Sequence, residues 1–385
     1  MKLLLLLLAS WCAAGQTENT YRIVREGNYW VRVDGGFLTA RGPLTVVAPG
    51  KVHTQGESRE DISYTVKRRV RARSYAAAKA MLAAPAVRSF TASGRHVLMV
   101  PKQGPRIVTE VDLRVPRSLP EMAFQVVDGT VSAFDLLGAV RVRAQAGSVR
   151  MDRIAGSLTA WTGGGEVRLG RIAGAVRVQS AGGGISIDGA GAGAVLETAG
   201  GEVHVGEAIG PVSAVTGGGN IHVGRAFAGV DARTRGGLVE IGEAVAQVRA
   251  NTVGGAIHVG SARGADCDSG GGPIRVDWVS GQLRAATALG NIVAGIAPER
   301  VRDSFLNTAA GDITVFLPSS IAVTVQAENE AAGAMARIFS EFPEIRVLRL
   351  PAIGKPLAAQ GAINGGGPVL RLSASGGIIH LKRHE

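Results

Sequence analysis

Aromatic side chains are scarce in this chain: they make up 4% of 385 residues, although 46% are hydrophobic. Large side chains ordinarily fill a globular core. Their scarcity argues against a conventionally packed core and fits narrow coils walled by Val, Ile, Ala and Gly. Cysteine is almost absent, with only Cys12 and Cys267, so no disulfide framework is expected. The one long apolar run, residues 3–9, is too short to span a bilayer. The 55 glycines follow no G-X-Y period, which argues against collagen, and recurring Val and Ile argue against disorder.

What is present is a period. Glycines recur at Gly129, Gly147, Gly165, Gly183, Gly201, Gly219, Gly237, Gly255, Gly272 and Gly290, every 18 residues with one step of 17. A short period held this long predicts a solenoid in which each repeat is one stacked coil. In the segment from Gly201 to Gly218, Val203 and Val205 share one parity, and so do Val212, Ala214 and Thr216. One unit therefore reads as strand, bend, strand and glycine corner, with glycine where the backbone needs positive φ or close approach. Stacking turns positions into inward columns. One runs from Val131 and Val149 to Ile274 and Ile292, and another of small residues runs from Ala160 through Ala214 and Ala250 to Cys267 and Ala285. Cys267 reads there as a small buried hydrophobe. A hydroxyl column, Thr162 to Thr287, lies beside the glycine corner and can satisfy backbone groups left over by the turn.

The ends break the period. Residues 1–15, with Lys2, the apolar run and small Ala13, Ala14 and Gly15, read as an export signal. Trp11 suits a lipidated Cys12 poorly, so ordinary cleavage is expected. Residues 16–128 read as a basic β-rich N-terminal module with one helix over residues 74–84, capped by Ser74 and stopped by Pro85. Residues 129–317 are the solenoid repeats. In residues 318–385, Ile321 to Ala327 alternates as a strand, and a sharp turn at Asn364 to Pro368 precedes two strands, Val369 to Leu372 and Ile378 to Leu381, which read as the closing coils. The fold expected is all-β: a single-stranded β-helix of about ten 18-residue coils with capping strands.

Charge is unevenly placed. Residues 16–128 hold 18 Lys and Arg against 10 Asp and Glu, whereas the remainder is nearly balanced. Lys67, Arg68, Arg69, Arg71 and Arg73 form the densest run and a candidate contact for anionic lipid or glycan; the same residues suit a solvated strand. An exported chain gives no reason to expect nucleic acid. One outward column reads His204, His222, Glu240, His258, a candidate ladder for zinc or copper, although a row of ligands suits zinc poorly. No cofactor motif appears, because the Gly365 to Gly367 run lacks the following helix and the Lys-Ser/Thr of a phosphate loop.

Three features together resemble the bacterial "putative adhesin" family of β-strand-repeat proteins, a domain of unknown function: the G-E-V-H-V-G coils, the segment Ile338-Phe339-Ser340-Glu341-Phe342-Pro343, and Asn364-Gly-Gly-Gly-Pro with Gly377-Ile378. The resemblance covers residues 30–385 and departs at Glu341, where Asp is more usual. It implies a β-solenoid at the cell envelope with no catalytic residues to carry over; bactofilin-type coils are similar in architecture only. The function expected is an exported, non-catalytic envelope scaffold or adhesin, periplasmic or on the surface of a bacterium, with an envelope polymer or surface ligand as partner and self-association as a further option. The alternative is a β-helix lyase or hydrolase acting on polysaccharide, disfavoured because outward acids such as Glu166, Glu202 and Glu240 are scattered and no long inserted loops wall a cleft.

Overall fold

Alternation decides which way each coil strand faces. Val203 and Val205 are buried while His204 between them is exposed, and Val212, Ala214 and Thr216 turn inward on the second strand of the coil. The computed structural model describes residues 21–39, 42–83, 85, 87–92, 94–330, 337–348 and 357–384, so the export signal expected over residues 1–15 lies outside the described residues. Strand Val203–Ala208 pairs in parallel with Ile221–Ala226, register Val203↔Ile221, and Val212–Thr216 pairs with Val230–Thr234, register Val212↔Val230. Repetition of this pairing builds a β-solenoid of about 11 turns with two strand segments per coil. Its rise is about 4.8 Å per coil, so this part is on the order of 50 Å long.

The interior of the stack is one continuous apolar cluster from Leu44 to Leu381, and a second, small cluster of Val70, Ala78 and Leu82 lies under the helix. The alanine column, including Ala160, Ala214, Ala250 and Ala285, is buried with Cys267 in line, which lets the two walls approach closely. At the corners from Thr162 to Thr308 a hydroxyl takes the column position that Val126, Ala144 and Ala374 hold at the ends of the stack. Thr216 Oγ1 donates to the carbonyl of Gly201, which opens its own coil, at 2.8 Å and accepts from the N–H of Gly219, which opens the next, at 3.2 Å. The arrangement recurs at Thr198, Thr234 and Thr287. Buried polar groups of the turn are thereby satisfied along the stack. Gly219 itself has no left-handed φ; it is glycine because a Cβ would collide with the Gly201 backbone of the coil before it.

The stack does not begin at Gly129. Strand Lys51–Glu57 pairs in parallel with Val131–Leu136, and Leu44–Ala48 pairs with Glu121–Asp128, so residues 44–57 form a coil of the same solenoid. On its far side sit Arg95–Met99 and Val108–Pro116, which come later in the chain. The order in space is thus inverted relative to sequence. The other end repeats the inversion. Val369–Ala374 and Ile378–His384 stack on Ser304–Thr308 and Ile313–Pro318, and the earlier strands Val323–Asn329 and Arg337–Ser340 lie outside them. The strands after Pro368 therefore form the penultimate coil rather than the outermost one.

Antiparallel strands cover much of each end, as open sheet edges require. Asp61–Val70 pairs with Val108–Pro116, Tyr29–Thr39 pairs with Asp61–Val70, and Arg22–Glu26 pairs with Tyr29–Thr39. At the opposite end Leu357–Ile363 pairs with Val323–Asn329. Among the described residues the only helix is Tyr75–Leu82; the Ser74 hydroxyl caps it by accepting from the Ala77 N–H. Asn364, Gly365 and Gly366 all have positive φ, and the Asn364 side-chain amide donates to the carbonyls of Ser319 and Ile321, which fixes the turn expected there.

Candidate functional site

The histidine column is assembled by strand register: His204 pairs with His222, His222 with Glu240, Glu240 with His258 and His258 with Arg275. The His204 and His222 rings stack, with centroids 4.9 Å apart and planes 2° from parallel. His222 Nδ1 lies 3.1 Å from a Glu240 carboxylate oxygen. His258 is drawn the other way: its Nε2 is 2.8 Å from Asp277, whereas its Nδ1 is 4.0 Å from Glu240. Burial pushes the Asp277 carboxyl up, but hydrogen bonds from His258 and Arg275, with their charge, outweigh this and hold it below the usual carboxylate range. The imidazoles thus stack on one another or lie against carboxylates along a row. Among the described residues no three His, Cys, Asp or Glu side chains form a group able to hold a metal ion.

The basic run is divided by strand parity. Arg68 shares its parity with Val66 and Val70 and is fully buried, so it belongs to no surface patch. It pairs with Asp34, whose other carboxylate oxygen accepts from Arg32, and Arg32 in turn donates to the Leu82 carbonyl at the helix C-terminus at 2.8 Å. Burial lowers the Arg68 pKa, and Asp34 resists that shift. Of the other members, Lys67, Arg71 and Arg73 are exposed. Arg69 pairs with Glu110, and the Arg71 guanidinium lies 4.8 Å above the Tyr29 ring.

A second charged face, which residue order alone does not single out, lies on the opposite wall. There Arg141, Thr159 and Arg177 form one outward column and Arg143, Trp161 and Gln179 the next. Glu121 sits at its edge, accepting from Arg95 at 2.9 Å and from Arg141 at 2.8 Å. The hydrogen bond from Arg95 and the charge of Arg141 hold its carboxyl below the usual range, against the opposing effect of burial. A signal for this face does exist in the sequence: Trp161 has outward parity in its strand, and Arg143 precedes it by one period.

No protein-family model matches the chain, and no curated protein matches it. A solved structure, described as that of "a putative cell adhesion protein" from Clostridium sporogenes, is matched at 7% identity with a TM-score of 0.18, over 91% of this chain and 100% of that one. A likeness this slight transfers no role. No helix among the described residues is long and apolar enough to cross a membrane.

Proposed function

We propose that this chain is an exported envelope scaffold or adhesin-like β-solenoid that acts by presenting surfaces and performs no catalysis. The observation carrying the reading is the uninterrupted stack: from Val131 to Ile296 each strand is followed by a short turn and then by the next, so ladder faces run along the rod without inserted loops. Continuous faces of this kind suit multivalent contact with a polymer or a neighbouring surface. The partner proposed is an envelope polymer or surface ligand, at the periplasm or cell surface of a bacterium.

Two measurements test this. Cell fractionation of the tagged full-length chain should find it outside the cytoplasm, with the residues before the expected cleavage removed. Incubation of the purified protein with envelope polysaccharide should retain polymer on the protein without releasing reducing or unsaturated ends. Cytoplasmic retention would overturn the export reading, and product release would replace the scaffold with a β-helix enzyme.

A further inference from the structure

We propose that the wall carrying Arg143, Trp161 and Arg177 is a binding site for an acidic polysaccharide. The inference does not depend on where the protein resides. It starts from a shape: between Thr45 and Gln179 the outer surface of this wall dips into an open cleft of about 560 Å³. The dip has a simple cause. Thr45, Ala123 and Thr159 are short side chains in a column whose other members near the cleft, Arg141 and Arg177, are long.

The cleft joins two kinds of recognition chemistry. Trp161 is 38% exposed, a large apolar plate standing on a strand face in a chain with few aromatics. An indole plate is suited to the C–H-bearing face of a pyranose ring, burying apolar area while the sugar hydroxyls reach polar neighbours. Those neighbours are present: Gln125 and Gln179 lie on nearby coils of the same column, with Thr159 beside them. The charge is positive. Arg141 is occupied by Glu121, but Arg143 and Arg177 have no carboxylate partner among the described residues, and Arg143 instead lies 5.6 Å from the centre of the Trp161 ring. An exposed guanidinium beside the aromatic plate, Arg143, and a second, Arg177, on the next coil of the adjoining column complement a sugar polymer that carries carboxylates, which Arg binds through paired N–H donors.

The extent of the site favours a glycan over other anions. The Arg and Trp side chains span the coils from 139 to 180, and the next coil brings Glu197, to which Gln179 donates at 2.9 Å. A positive segment of a few coils that ends at a carboxylate is short for a nucleic acid, whose affinity comes from many phosphate contacts along a track. Of the two aromatics that line the cleft, Phe124 is buried in its floor and Trp161 alone is exposed, with Gln125, Arg143 and Gln179 in its own column; a membrane-binding surface differs in projecting apolar groups beyond its cations.

The test uses the full chain and measures binding of polygalacturonate, alginate and hyaluronate by calorimetry and by tryptophan fluorescence. Neutral dextran and phosphatidylglycerol vesicles are the comparison probes, and far-UV circular dichroism verifies the fold of every variant. At least one acidic polymer is expected to bind, more weakly as salt rises, and dextran at least 10-fold more weakly. Trp161→Ala and the pair Arg143→Gln/Arg177→Gln are each expected to lose 10-fold or more, whereas Trp161→Phe retains most of the binding. Absence of binding to all three polymers, equal binding of dextran, undiminished binding by the folded Trp161→Ala protein, or vesicle binding lost with the same substitutions would overturn the proposal. None of these outcomes bears on export, which fractionation reads separately.

Discussion

Val223 and His222 are adjacent in the chain and have opposite surroundings: the valine is fully buried between coils and the histidine side chain is 40% exposed. Val223→Asp would place an unpaired carboxylate against apolar neighbours on both sides and should cost several kcal/mol, whereas His222→Ser should stay within about 0.5 kcal/mol. Chemical denaturation of the two variants checks the difference. Cys267 offers a second test. Burial, with Asp266 nearby, pushes its thiol up to about 12, so the native protein should resist maleimide at pH 8 and react once unfolded. Both assignments were legible from parity and column. Arg68 was legible by the same rule, since it alternates with Val66 and Val70, but its residue type suggested a solvated cation. What local sequence does not supply is its partner: Asp34 lies on another strand, 34 residues away.

At the scale of one coil, the glycines of a corner have unequal duties. A Cβ at Gly218 would meet open space, whereas Gly219 faces the backbone of the preceding coil at a separation no side chain tolerates. Gly218→Ala should therefore be neutral, or stabilising by up to about 1 kcal/mol through the unfolded chain. Gly219→Ala should lower the melting temperature sharply, because the coils would have to separate. Thermal unfolding of the pair distinguishes close approach from simple flexibility. The period announced these corners, but not whether positive φ or close approach demanded the glycine. Strand Lys51–Glu57 is hard to read as part of a coil for a related reason: its inward residues are Val52, Thr54 and Gly56, a weak apolar signal, and the partner that makes it a coil strand begins at Val131.

Across the whole molecule, several ion pairs join coil to coil and set a common acid response. Hydrogen bonds from Arg153 and then Gln55 hold the Asp135 carboxyl well below its usual range, and Arg95 does the same for Glu121. A carboxyl lowered in the folded state adds stability above its unfolded pKa of about 4, and that stability disappears as pH falls through the lower folded value. Melting temperature should hold from pH 7 to about 5 and decline below about pH 4. Glu121→Gln should make part of that decline shallower; an unchanged profile would mean that the pairs of Glu121 with Arg95 and Arg141 contribute nothing.

The inverted order of coils at the far end also determines how the rod answers a pull. Strand Ile378–His384 lies between two parallel neighbours, Ile313–Pro318 and Arg337–Ser340, and tension along it loads both ladders in shear. Among the described residues, strand Arg22–Glu26 has a single, antiparallel neighbour, Tyr29–Thr39, joined to it by a tight turn, so tension applied at residue 22 unzips one hydrogen bond after another. Held at residues 22 and 384 in a single-molecule trap, the rod should yield first at the Arg22–Glu26 hairpin at low force, and only later, at markedly higher force, where residues 378–384 are clasped. A molecule tethered by one end to a surface and loaded at the other would thus have a compliant terminus and a stiff one.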